Sequence, residues 1–219
     1  MKLALINGSP RGKKGNSNKL LNWLVSEIKT EADITEITLS HLTKQTEAIK
    51  LAEDSDYLIF CFPLYTDLMP GIVKHFFELM DKDKESFKNK PVLYFIHSGF
   101  PEAIHSRMLE QYCQHFTKLM SMQYMGCLIM GGSEGMQYMP EQAFKKRKQE
   151  FGKIGRNILT FKPYTPDALK ISGHIEKFMG LNKIRLSIMP SFMNLFWNRI
   201  IRTNKAYKKR LDKPYAPTI

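Results

Sequence analysis

The chain is 219 residues long and carries 33 Lys plus Arg against 21 Asp plus Glu, a formal charge of +12. An apolar fraction of 43%, with 13 Gly and 11 Pro in no periodic order, excludes disordered, collagen-like and low-complexity classes. The length suits one domain with an appendage, large enough to bury a core without staples.

Lys2–Ile6, closed by the turn-forming NGSP, reads as a buried strand. Apolar residues at 20, 21, 24, 25 and 28 and the Asn16-Ser17 start predict a helix over Ser17–Thr30. Ile34, Ile37 and Leu39 suggest a short strand near Asp33–Leu39. Tyr57–Phe62, apolar almost throughout and ended by Pro63, reads as a strand buried on both faces. A helix over Gly71–Met80, a strand over Val92–Ile96, a helix over Glu102–Met120, a strand over Met125–Met130 and a basic helix over Glu141–Leu159 follow. Such alternation argues for an α/β fold with a parallel sheet between two helical layers. In these sheets ligands sit beyond the carboxyl ends of the strands, where the strand order switches. Three loops fall there: Asn7–Ser17, Pro63–Pro70 and His97–Glu102.

The first loop, NGSPRGKKGNSN, offers glycines, hydroxyls and backbone amides at a helix N-terminus, with Arg11, Lys13 and Lys14 adding charge. Such a place binds phosphate, because unpaired amides point outward and the helix dipole favours an anion. It is not a Walker A loop, since Lys13 stands where the second Gly belongs, and Pro10 breaks the dinucleotide fingerprint. In the second loop Tyr65 can line a flat ring-binding cleft, although an exposed Tyr alone is more often ordinary packing. In the third, Ser98 and Gly99 offer backbone groups and Phe100 a rim. His97 reads as a loop histidine with a local hydrogen bond rather than a ligand contact. Gly131, Gly132, Gly135 and Tyr138 read either as a cleft border or as a turn. The six His show no zinc-ligand spacing, and no G-x-S-x-G elbow exists.

Cys61, Cys113 and Cys127 cannot make a disulfide framework, and the first and last sit in apolar runs. The context reads as reducing, hence cytoplasmic. The opening MKLALINGSP is too short an apolar run for a secretory leader, and no stretch reaches the roughly 18 apolar residues of a membrane span.

Three motifs together resemble a known family. G-S-P-R…G-N-S after the first strand, P-x-Y-x-x-x-M-P-x-x-x-K-x-F-x-E after the third and S-G-F-P-E after the fourth look like the flavodoxin-like NAD(P)H-dependent FMN reductases. The resemblance spans residues 1–160. It implies a five-stranded parallel sheet in the order 2-1-3-4-5, bound FMN, NAD(P)H as electron donor and commonly a homodimer. It implies that Ser9, Arg11, Asn16 and Ser17 hold the FMN phosphate. Pro63, Leu64, Tyr65 and Thr66 would flank the isoalloxazine, and Ser98, Gly99 and Phe100 would close its other edge. No essential acid–base side chain is expected, because the flavin carries the hard chemistry. Some relatives insert clustered cysteines after the second strand to bind an iron–sulfur centre. Here that segment, SHLTKQTEAIKLAED, has none, so no cluster is expected. The expected activity is FMN-dependent reduction of a small acceptor: a quinone, a nitro or azo compound, or free flavin. The rival is a non-enzymatic FMN-binding electron carrier docking to a protein or membrane surface. Such carriers are usually acidic, which counts against it.

The charge is uneven. Residues 1–140 hold 15 Lys/Arg and 16 Asp/Glu, and residues 141–219 hold 18 and 5. We therefore expect an FMN-binding domain over 1–160 and a basic helical extension over 161–219. Within the extension one helix is expected over Asp167–Met179 and another from Ser191, with apolar residues at 192, 193, 196, 197, 200 and 201. Two readings stay open for the stretch 184–210. One is docking on the core or a second subunit, as a Met/aromatic stripe more often does. The other is an interfacial helix on anionic lipid. No nucleic-acid motif accompanies the charge, so nucleic acid is not expected as a partner.

Overall fold

The computed structural model describes residues 1–41, 44–165, 169, 171, 174–177, 194 and 197–212. The chain divides into two compact units, Met1–Lys177 and Phe178–Ile219.

The first unit is built on five strands, β1 (Lys2–Asn7), β2 (Asp33–Thr38), β3 (Tyr57–Pro63), β4 (Pro91–His97) and β5 (Gln123–Met130). They pair in parallel in the order β2-β1-β3-β4-β5. This is the flavodoxin-like arrangement that the sequence implied. Five helices cover the sheet: α1 (Asn16–Leu24), α2 (Gln45–Glu53), α3 (Gly71–Lys82), α4 (Arg107–Leu119) and α5 (Lys145–Arg156).

The strand sequences sort side chains by parity, because successive residues point to opposite faces. Leu58, Phe60 and Phe62 of β3, with Val92, Tyr94 and Ile96 of β4, join the core under α2, α3 and α4. Tyr57, Ile59 and Cys61, with Leu93 and Phe95, join the core under α1 and α5. Both parities are apolar, so the central strands read as unbroken hydrophobic runs. Aromatic rings dominate each layer. Phe77 stacks on Phe116 at 4.1 Å between centroids on one face, and Phe95 stacks on Phe151 at 4.9 Å on the other. All three cysteines are buried and free, and burial pushes each thiol up, so none is a nucleophile.

Four sequence expectations need correction. Helix α1 ends at Leu24, six residues early: Ser26, Ile28 and Glu31 donate their amides three residues back rather than four, giving tighter turns over the same apolar spacing. Helix α4 starts at Arg107, after a 3-10 turn over Ala103–Ser106. Helix α2 was not read from the sequence. Its buried face is Gln45, Ala48, Ile49 and Ala52, which is a weak apolar signal. The helix expected over Asp167–Met179 is absent at its described residues, 169, 171 and 174–177. There Ile175 bridges Glu102 in parallel, and the amides of Ala103 and Ile104 bond the carbonyls of Ile175 and Glu176. Leu169 and Ile171 bury against the sheet core instead of lining a helix face.

In the second unit, residues 197–203 are helical and Tyr207–Lys209 form a 3-10 turn. The helix expected from Ser191 is described only at 194 and from 197; its earlier positions lie outside the described residues.

Helix α5 crosses α1 at Gly155, where an added Cβ would stand 1.6 Å from the Leu24 carbonyl oxygen. Ala normally stabilises a helix interior by about 1 kcal/mol over Gly. Here a rigid backbone blocks it, so Gly155→Ala should destabilise by about 1–3 kcal/mol. Denaturant unfolding checks this, and an unchanged or raised midpoint contradicts the close crossing.

Candidate functional site at the carboxyl edge of the sheet

Strand order reverses between β1 and β3, so the cleft expected of such sheets opens over their carboxyl ends. The loop after β1 is shaped by Asn7, whose Nδ2 donates to the Gly12 carbonyl at 3.0 Å and whose Oδ1 accepts from the Ser9 amide at 3.0 Å. Ser9 is buried. Its Oγ accepts from the Arg11 amide at 3.2 Å, and among the described residues its own proton has no acceptor. A 3-10 turn, Gly12–Lys14, then leads into α1. Gly15 caps α1 without a side chain, and no acidic residue stands in the first turn. Most helices satisfy their first amides with a Ser, Thr, Asp or Asn side chain. This one leaves them for an outside acceptor, beside Arg11, Lys13 and Lys14. Arg11 donates to the neutral Gln137 Oε1 at 2.9 Å, so its charge is held in place without being cancelled.

The loop after β3 is tied to the loop after β4 by the Leu64 amide, which donates to the His97 carbonyl at 2.7 Å. Tyr65 and Leu68 exchange amide–carbonyl bonds of 2.9 and 3.1 Å across a tight turn. That turn drives Thr66 to φ 57°, unusual for a β-branched residue. The amides of Thr66, Asp67, Gly99 and Phe100 have no hydrogen-bond acceptor among the described residues. Tyr65, Leu68 and Phe100 are exposed and form an apolar rim, with the Phe100 ring 4.7 Å from that of His105.

His97 closes β4 and is buried, not a loop residue as the sequence suggested. Its Nε2 meets Ser17 Oγ at 2.7 Å and its Nδ1 meets Ser133 Oγ at 2.8 Å. Ser133 Oγ donates to the Ser98 carbonyl at 2.9 Å. Its only proton is therefore spent, so Nδ1–H donates to Ser133 and Nε2 accepts from Ser17. Burial pulls the imidazole down to about 3, so it is neutral in this network. One ring thus joins the start of α1 to the loop after β5. Asn16 Nδ2 adds a bond of 2.7 Å to the Ser133 carbonyl. Gly131 permits the approach of the last two loops: a Cβ there would stand 2.3 Å from the Pro101 carbonyl oxygen. Of the glycine run after β5, which the sequence left open, Gly131 is packed against the loop after β4, while Gly132 and Gly135 face open space.

All eleven residues implied by the motifs lie at this edge. Ser9, Ser17, Pro63, Leu64 and Ser98 are buried there, Asn16 is half-buried, and Arg11, Tyr65, Thr66, Gly99 and Phe100 are exposed. A groove of about 610 Å³ runs from the same loop along α1, lined by Lys13, Lys14, Lys19, Lys29 and Lys148 with Glu141 opposite. Among the described residues no group of three or more His, Cys, Asp or Glu is placed to hold a metal ion.

Comparison with known proteins follows the same line. The family model described as NADPH-dependent FMN reductase matches residues 1–135. The chain belongs to that family, and is an NAD(P)H-dependent flavin oxidoreductase with FMN as its cofactor. No curated protein resembles the chain closely enough to count as a match. Among solved structures, an NADH:FMN oxidoreductase in its apo form is 16% identical, with a TM-score of 0.59 over 81% of this chain and 96% of that one. The Trp repressor binding protein from Bacillus subtilis is 21% identical, with a TM-score of 0.55 over 69% and 96%. An FMN-dependent NADH-azoreductase from Bacillus anthracis, solved with FMN, is 11% identical, with a TM-score of 0.56 over 72% and 99%. These likenesses establish the shared fold.

The neutral imidazole makes stability depend on pH. An unfolded His takes its proton near 6.5, while His97 refuses it down to about 3. Its contribution is therefore full above about pH 6.5 and is lost as pH falls towards 3. Thermal unfolding across that window should show Tm falling more steeply for the wild type than for His97→Asn. Parallel curves would contradict the assignment.

Proposed function

We propose that the protein draws hydride from NAD(P)H and delivers the electrons to a small acceptor, a quinone, nitro or azo compound or free flavin, through FMN held at this edge. The observation that carries the reading is the uncapped start of α1 beside an uncommitted Ser9 hydroxyl and an uncancelled Arg11. A phosphate monoester needs that donor set. Ser9 Oγ, the Arg11 guanidinium and the amides of Asn16 and Ser17 would hold it. Ser17 would serve through its amide, because its hydroxyl proton is turned to His97. The Asn16 side chain would steady the loop through its bond to Ser133.

The ring would lie between Pro63–Thr66 and Ser98–Phe100. The open amides of Thr66, Gly99 and Phe100 suit the polar edge of a heterocycle, and Leu64 and Tyr65 its flat face. FMN, when bound, supplies the hydride and electron transfer. The chain's own part is to hold, orient and exclude water. His97 is neutral and buried, so it positions the loops and exchanges no proton with a substrate. One exposed apolar rim, Tyr65, Leu68 and Phe100, serves the nicotinamide and the acceptor in turn, which gives ping-pong kinetics. An azoreductase among the structural neighbours supports the azo class of acceptor. The reading extends to a homodimer in the cytoplasm, supported by the family and by three buried reduced thiols.

Anaerobic addition of NADPH, then NADH, to the FMN-loaded protein tests the activity. One nucleotide should bleach the flavin absorption; a flavin spectrum that neither changes returns the electron-carrier reading. Removing Ser9 and Asn16 together, as the double Ala variant, should weaken FMN retention about tenfold to a hundredfold, since a hydrogen bond to a charged group contributes about 1.5–3 kcal/mol. Retention equal to wild type would break the phosphate assignment.

A further inference from the structure

We propose that the second unit, Phe178–Ile219, holds the protein against an anionic lipid surface. The proposal goes beyond the reductase reading and does not rest on it. Nine Lys or Arg and one acid, Asp212, fall in this unit, a net of +8 out of the chain's +12. Its described cations, Arg199, Arg202, Lys205, Lys208, Lys209 and Arg210, are all exposed. None of the six has an ion-pair partner among the described residues. In the first unit some cations are matched: Arg107 with Glu110 and Glu176, Arg156 with Glu27 and Glu31, Lys2 with Asp54. A positive surface left without counter-charges wants an anionic partner that covers an area.

The apolar residues point to lipid rather than nucleic acid. Leu211 is 78% exposed directly after Arg210, and Trp197 is about half exposed two residues before Arg199. Large apolar side chains set among cations, one on a short helix and one just past the 3-10 turn that follows it, are what an interfacial segment presents to headgroups and acyl chains. A single-stranded nucleic acid would instead need free aromatic faces for its bases. The Tyr207 ring is taken: guanidinium groups of Arg202 and Arg210 lie 4.5 and 3.9 Å from its centre. Among the described residues no helix is long and apolar enough to cross a membrane, so the contact is peripheral and reversible. Such a contact keeps the enzyme beside acceptors that dissolve in lipid.

Co-sedimentation of the full chain with vesicles tests the proposal. The protein should sediment at low salt with phosphatidylcholine vesicles containing phosphatidylglycerol, not with phosphatidylcholine alone, and salt should release it. Each basic residue near an anionic surface contributes about a fivefold gain in partition, so the Lys205→Gln, Lys208→Gln, Lys209→Gln triple variant should bind about a hundredfold more weakly. Circular dichroism of the variant separates this loss from unfolding. Equal binding to both vesicle types, or a folded triple variant that binds like wild type, overturns the proposal. So does retention of duplex DNA by a chain that leaves the anionic vesicles in solution.

Discussion

The site depends on one buried imidazole. A parallel sheet brings the loops after β1, β3, β4 and β5 to one edge, where they must be held against one another. His97 stands at the end of β4, accepts from Ser17 at the start of α1 and donates to Ser133 after β5. Ser133 passes the bond on to the Ser98 carbonyl, while the His97 carbonyl takes the Leu64 amide. The ring therefore reaches the loops after β1 and β5 directly and the loop after β4 through Ser133, while the main chain of the same residue holds the loop after β3. It does this only while neutral, because a protonated ring would have no lone pair for Ser17. Burial enforces that state.

Pinning the loops from beneath leaves their upper donors open. Among the described residues the Ser9 hydroxyl proton and the amides at 66, 67, 99 and 100 have no acceptor, α1 starts without a side-chain cap, and Arg11 is steadied by an amide rather than a carboxylate. Donors fixed in advance need little reordering when an anion and a heterocycle arrive, which favours binding. The titratable group at the centre is structural, and the redox chemistry belongs to the flavin. Most of the net positive charge, +8 of +12, lies in the second unit, away from these loops in sequence.

The sheet was legible because its strands are short apolar runs bounded by turn residues: KLALIN, YLIFCFP and PVLYFIH leave few alternatives. The loop after β1 was legible as a strand-to-helix turn because its glycines, hydroxyls and cations are contiguous. Helix α2 was not, because it buries through Gln45 and two alanines, which carry little hydrophobic signal. The end of α1 was hidden because 3-10 turns continue the same apolar spacing. The role of His97 was out of reach, since its partners stand 80 and 36 residues away and no local pattern marks a long-range bond. The helix expected over Asp167–Met179 was misread at its described residues for a similar reason. Its apolar residues suit a helix, but the open backbone at Ala103 and Ile104 draws it into pairing.

The central claim is that the open start of α1, with Ser9 and Arg11, binds the phosphate of FMN. Calorimetric titration of the flavin-free protein with FMN and with riboflavin tests it most directly, because the two differ only by that phosphate. Two charge-assisted bonds of about 1.5 kcal/mol each predict FMN binding at least a hundredfold more tightly. Equal affinities would contradict the account and would move the weight of cofactor binding to the ring loops alone.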